Sequence, residues 1–227
     1  MDFSSEIIKP LSIDCIVAGF NSDLNILLVK HASGISKGKW ALPGGWIQYN
    51  ESLDDAAGRI LKALTGLSDI YLKQLRAFGE LDRFPSKRVI TVAYSAFVKY
   101  EEYEIVPGFT ASDAKWFALK SIPEMPYDHN FILSEFMEDL RFKVKREPIG
   151  FQLLPEKFTL LQLQELYESI LGISLDKPNF RRKIRKMNLL VDCHEKQEGL
   201  AHRSPKLYRF DVDVYEKLKE KGFNFEF

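Results

Sequence analysis

Long apolar runs, leader-type residues and paired cysteines are all scarce in this chain of 227 residues, and each scarcity excludes something. No apolar run approaches the roughly 20 residues that span a bilayer, so no membrane helix is expected. The opening Met1-Asp2-Phe3-Ser4-Ser5-Glu6 lacks the basic and apolar parts of a signal peptide, and a cytoplasmic location is expected. The two cysteines, Cys15 and Cys193, lie far apart without metal-type spacing. Reduced structural thiols are expected rather than a disulfide scaffold or a metal centre. Formal net charge is zero, so the chain has no global field for nucleic acid or membrane, and any such surface must be local. What is present, 45% hydrophobic and 28% charged residues, fits one large or two modest globular domains.

Residues 12–20 and 24–30 are β-branched runs flanking Asn21-Ser22-Asp23, which reads as a β-hairpin. Further on, Ser52 with Asp55 three residues later has capping-box spacing. Leu53, Ala57, Ile60, Leu61 and Leu64 keep a helical period, and Gly66 supplies the stop. Strands are predicted at 71–80, 88–99 and 114–118, giving an α+β unit with a mixed sheet. Residues 128–146 read as an amphipathic helix with Phe131, Ile132, Phe136, Leu140 and Val144 on one stripe, a connector or a dimer contact. Glu147-Pro148-Ile149-Gly150 breaks the chain. The expected domains are therefore 1–147, including the linker helix 128–146, and 148–227.

The second domain carries its own pattern. Residues 159–171 form a helix capped by Thr159, Gly172 to Leu175 a tight turn, and 176–187 a second helix with Asp176 as N-cap and Pro178 in its first turn. Phe180, Ile184 and Met187 make a narrow apolar stripe. Every other position from 181 to 186 is Arg or Lys. Strands at Leu189–Cys193 and Leu207–Asp211 follow, joined by a polar segment, and a helix at 213–221 closes the unit. That order is a winged helix-turn-helix, whose second helix enters a major groove. Bases barely outnumber acids over 148–227, yet one helix is strongly positive, which is what a phosphate backbone requires. The expected DNA contacts are Lys177, Arg181, Arg182, Lys183, Arg185 and Lys186, with Asn179 on an adenine edge. Thr159 and Gln162 would meet the backbone from the first helix, and Arg203 and Lys206 from the wing.

Counting from Gly45, the chain places Glu51, Arg59, Leu61 and Gly66-Leu67 in the spacing G-x5-E-x7-R, an aliphatic residue, and a closing Gly-aliphatic pair. This resembles the Nudix box, whose family holds magnesium against a substrate diphosphate with glutamates at the positions occupied here by Ile60, Ala63 and Leu64. Residues three and four apart share a helix face. That face is predicted to be an apolar patch without the hard oxygens magnesium needs, and all three residues are read as core. Asp54 and Asp55 fall in the first turn, where they make poor replacements. Hence no catalytic residue, metal or cofactor is expected, and Gly45, Glu51, Arg59 and Gly66 are assigned to holding the fold.

The whole chain resembles the Nudix-related transcriptional regulators. The resemblance rests also on Lys37 to Gly45, Gln74 to Gly79, Arg88 to Tyr94, Phe158 to Leu160 with Leu163 to Glu168, and Asn179 to Lys183. It implies a Nudix-like α/β/α sandwich followed by a winged helix. It also implies a homodimer, a palindromic double-stranded operator, and release or altered grip when a pentose or ADP-ribose binds. The lost metal anchor favours a neutral pentose, L-arabinose first, in a repressor of sugar utilisation. The alternatives are a regulator of NAD metabolism sensing ADP-ribose, a Nudix diphosphate hydrolase, and a winged helix that binds protein instead of DNA. By position relative to the Nudix cleft, the expected effector contacts are Lys30, Trp40, Trp46, Glu51, Glu80 and Arg83.

Overall fold

The computed structural model describes residues 10–108, 110–198, 204–223 and 225. Their contacts divide the chain into two compact units, one of residues 1–19 and 25–136, the other of 20–24 and 137–227.

The first unit is built on a mixed sheet. Strand β1 (Leu11–Phe20) runs parallel to β6 (Ile90–Val98) over nine register positions, from Leu11 opposite Ile90 to Gly19 opposite Val98. Outside β6 lies β5 (Lys73–Phe78), an antiparallel edge strand with exposed Lys73 and Arg76. Basic side chains on a free edge discourage pairing with another chain. Strand β2 (Leu24–His31) pairs along one edge with β7 (Ala111–Ala118).

Two short strands that the hydrophobic pattern does not reveal complete the sheet. β3 (Trp40–Ala41) pairs with β2 and β4 (Gly44–Trp46) with β1. Because β6 and β7 occupy the outer edges of β1 and β2, the segment 40–46 wedges between the two arms of the hairpin. Pro43 accepts a hydrogen bond from the Cys15 amide at 2.7 Å there. The fit at Gly44 is tight: a Cβ would stand 2.3 Å from Asp14 Oδ1 and 2.9 Å from the Ile13 carbonyl.

Helix α1 (Leu53–Thr65) begins at the predicted Ser52 cap and ends at Gly66, which takes the left-handed conformation at φ 76°. Its buried Ala56, Ala57, Ile60, Leu61 and Leu64 pack on Ile13, Cys15, Val17, Leu27, Val29, Val92, Tyr94 and Val98. The alternation of a strand puts Phe97 on the opposite sheet face, where it meets Phe136 of α2 (His129–Val144) at 6.0 Å between rings. Helices on both faces make the expected α/β/α sandwich. Three residues depart from the predicted stripes. Leu53 keeps 36% exposure and Phe131 46%, and Ala63 is exposed. Leu53 and Phe131 sit in the first turns of their helices, and Ala63 lies at the rim of its stripe, where packed neighbours flank only one side.

In the second unit, α3 (Leu160–Leu171) starts in a complete capping box and ends at left-handed Gly172. Helix α4 (Lys177–Lys186), strands β8 (Leu190–Lys196) and β9 (Lys206–Phe210), and α5 (Val212–Glu220) follow. The strands pair antiparallel from Leu190 opposite Phe210. The order is the expected winged helix. Phe180 and Ile184 are buried, and the Phe180 ring meets Tyr167 of α3 edge-on at 5.9 Å.

Candidate functional site

The box has been turned into structure. Arg59 donates twice to Glu51, at 2.7 and 2.6 Å, and once to the Trp46 carbonyl at 3.0 Å. Glu51 also accepts from the Gln48 amide at 2.6 Å. The Arg59 hydrogen bonds hold the Glu51 carboxyl down at about 2. The two remaining acids are equally engaged. Asp54 accepts from Tyr94 Oη at 2.5 Å, and Asp55 accepts from Ser52 Oγ at 2.7 Å within the helix cap. Ile60, 3% exposed, lies against the backbone of Gly45. Magnesium needs several free hard oxygens on one face, so these residues do not fit the ion that the box fold is built to carry.

A different polar cluster occupies the cleft of the first unit, which has a volume of about 500 Å³. Its lining includes Ser36, Lys39, Glu80, Arg83, Tyr127 and Asp128. Arg83, with only 3% of its side chain exposed, donates to both oxygens of Asp128 at 2.9 and 2.7 Å and to Asp14 at 3.3 Å. His129 completes the cluster. Its Nδ1 accepts from the Leu42 amide at 3.1 Å, which places the ring proton on Nε2, 3.5 Å from Asp14. Tyr127 is held at φ 60°, its ring stacked on Phe84 at 4.8 Å and its hydroxyl accepting from Ser36 at 2.9 Å. A non-glycine residue in that region is strained, and such strain gathers at ligand-binding sites.

Burial lowers the pKa of His129 and of His31, the latter pressed further by His129 itself. Both are therefore neutral in the folded protein at pH values where the unfolded chain begins to take protons. Stability is fully present above the unfolded value of about 6.5 and falls as pH drops toward the folded values. The expected result is a lower denaturant midpoint at pH 5.5 than at 7.5, with His129→Gln flattening the fall. A midpoint that is constant or rises on acidification contradicts this account.

Of the sequence-derived effector residues, Glu80 and Arg83 line the cleft. Trp46 stands beside it, 6.0 Å edge-on from Phe84 and under the Lys87 ammonium at 4.1 Å. Glu51 is spent on Arg59. Lys30 and Trp40 do not line the cleft and stand in a cluster where Lys115 also covers the Trp40 ring and Phe117 packs on it at 4.9 Å. Sequence reasoning missed Ser36, Lys39, Tyr127 and Asp128 on the cleft wall, and Asp14 and His129 in the buried cluster behind it. One signal was available, since Asp14 interrupts an otherwise apolar strand.

The nucleic-acid interface is set by the turn between α3 and α4. Glu168 accepts from the Leu175 amide at 2.7 Å and from Gln164 at 3.0 Å, while Gln164 donates to the Leu175 carbonyl at 3.1 Å. Both backbone groups of Leu175 are thereby clamped to α3, which fixes the angle at which α4 leaves the turn. Lys177, Asn179, Arg182, Lys183, Arg185 and Lys186 are exposed. Arg181 is half-buried, with its Nε out of solvent. Thr159 is only 2% exposed, and it and Gln162 bond to each other in the helix cap. The expectation that Thr159 meets a DNA backbone does not hold for a side chain buried in its own cap. Lys206 pairs with Asp192 across the wing strands at 2.7 Å, and Arg203 lies outside the described residues.

Comparison with known proteins follows the same division. A family model described as the NUDIX domain matches residues 9–140, and one described as the NrtR DNA-binding winged helix domain matches 150–210. An Acinetobacter baylyi protein described as an ADPR responsive transcriptional repressor is 30% identical over 198 residues, 85% of this chain and 78% of that one. The crystal structure of Shewanella oneidensis NrtR complexed with a 27mer DNA superposes with a TM-score of 0.74 at 28% identity, covering 95% of this chain and 97% of that one. The NUDIX domain of the same Shewanella protein, solved with ADP ribose, gives 0.55 at 26% identity over 62% of this chain and 94% of that one.

Proposed function

The chain belongs to the Nudix-related transcriptional regulators, and from that premise we propose that it is a DNA-binding repressor whose Nudix-like domain senses ADP-ribose. The observation that carries this reading is one chain joining a box stripped of its metal ligands to a basic helix clamped for a major groove. The effector follows the Acinetobacter and Shewanella relatives, whose descriptions name ADP-ribose. The pentose expectation and its role in sugar utilisation have no counterpart among them. That expectation rested on the lost metal anchor, but a diphosphate also accepts hydrogen bonds from Lys, Arg and backbone amides. Lys39 and Arg83, the latter already paired with Asp128 and Asp14, are the cleft's cations, and Glu80 and Asp82 offer acceptors for ribose hydroxyls.

In this reading Glu51 braces a loop and the domain binds without cleaving. The protein acts in the cytoplasm as a homodimer on a palindromic operator, with two α4 helices about 34 Å apart along the duplex. ADP-ribose must bind the DNA-competent and DNA-released states unequally to change the grip.

Thermal unfolding with ADP-ribose or L-arabinose tests the effector. A ligand at 100 times its Kd adds about 2.7 kcal/mol to a native state that alone binds it. ADP-ribose is expected to raise Tm with dose and to release bound DNA, and L-arabinose to do neither. A shift with arabinose alone restores the pentose reading. Magnesium-dependent turnover of ADP-ribose, abolished by Glu51→Gln, restores the hydrolase.

A further inference from the structure

Resting on the DNA-binding reading, the geometry of α4 points to a single reading unit in which Arg182 recognises a guanine and Asn179 orients it, rather than Asn179 reading an adenine. The first argument is angular. At about 100° per residue, Phe180 and Ile184 stand about 40° apart on the helix, and their midpoint marks the direction of the core. Arg182 lies about 180° from that midpoint, so it projects farthest from the domain. Arg181 and Lys183 sit about 80° to either side, on the flanks that face groove walls rather than the groove floor. The half-buried Arg181, its Nε out of solvent, fits that flank position.

The second argument is a hydrogen bond. Arg182 donates from Nη2 to Asn179 Oδ1 at 2.6 Å. Bidentate recognition of adenine requires an Asn to accept from the N6 amino group and donate to N7 at once, and here the accepting oxygen is taken. Guanine presents two acceptors, N7 and O6, and Arg meets them with two parallel N–H groups. Arg182 keeps that pair after serving Asn179: the second hydrogen of Nη2 and one of Nη1. The Asn179 backbone is itself anchored, because its main-chain N–H donates to the Asp176 cap at 3.0 Å. A guanidinium held on one side by a neighbour gives up less rotamer freedom when it meets a base, which concentrates its selectivity on one position. Asn179 is thus a positioning residue, and Arg182 sets the specificity.

The test uses the full chain and a randomised duplex pool selected for binding to the unaltered protein, with every base pair of the enriched sequence then varied singly. Arg182→Ala is expected to erase a preference for G·C at one base pair, by about 5- to 150-fold. Asn179→Ala should weaken the preference at that same pair and leave every A·T preference intact. Asn179→Asp should restore it, because a carboxylate still accepts from Arg182. The same variant lacks the donor that adenine N7 needs, so an adenine-reading Asn179 would not be rescued. Loss of an A·T preference in Asn179→Ala, with the G·C preference unchanged, overturns the proposal. So does an Arg182→Ala protein that binds every sequence uniformly less well. A pool in which no sequence is enriched overturns the DNA-binding reading itself, and this assignment with it.

Discussion

Raising salt from about 50 to about 200 mM should cost this protein's complex with its operator about three or more orders of magnitude in affinity. The expectation follows from counterion release. Each phosphate neutralised by Lys or Arg contributes about −0.9 to the slope of log K against log salt, and 6–10 contacts give the loss stated. Helix α4 supplies Lys177, Arg181, Lys183, Arg185 and Lys186 around Arg182, and a dimer doubles that set. Arg185→Ala with Lys186→Ala should flatten the slope by about 2 per protomer bound and weaken binding to all sequences alike. Fluorescence anisotropy across a salt series checks both. A shallow slope that the double variant leaves untouched would favour a winged helix that binds protein.

Arg83→Met should destabilise the first unit by about 3–5 kcal/mol, as removing one member of a buried ion cluster does. The loss comes less from the missing attraction than from what stays behind. Asp14 and Asp128, 8% and 15% exposed, would face each other without a cation. Adding Asp128→Asn and Asp14→Asn should recover much of the stability, because neutral groups carry no such desolvation cost. Denaturant unfolding monitored on Trp fluorescence measures the single and triple variants. A loss below about 1 kcal/mol in Arg83→Met would mean that water reaches the cluster freely, contrary to its burial. The triple variant, although stable, should fail to respond to ADP-ribose, which separates the structural contribution of Arg83 from its place on the cleft wall.

What the sequence made legible was local. Ser52, Gly66, Thr159, Gly172 and Asp176 mark their helix ends by short-range chemistry, and each does so in the fold. The pairing of Glu51 with Arg59 spans eight residues and was legible as a scaffold feature through the box. The basic helix was legible because its two buried residues and its charges repeat within ten positions. The cleft and the buried cluster behind it were not, because their parts are scattered: Asp14 on β1, Arg83 in a loop, and Asp128 and His129 at the head of α2. No periodicity links residues so far apart, and only the sheet brings them together. Long-range pairing also sets the surroundings of Lys30 and Trp40, which do not line this cleft. Their pairing with each other across β2 and β3, and the Lys115 and Phe117 side chains of β7, decide where they go, and the short β3 leaves almost no trace in the hydrophobic pattern.

The packing of Ile60 against Gly45 also sets what a carboxylate at that position would cost. Restoring a glutamate at 60 alone would put a carboxylate where 3% exposure now accommodates a hydrocarbon, a burial that costs several kcal/mol before any ion arrives to offset it. Position 64, 8% exposed, is in the same state. The acids at 51, 54 and 55 already hold partners of their own, which a metal would have to displace. A glutamate at 60 or at 64 would therefore destabilise the fold on its own, whereas one at exposed Ala63 would keep its water.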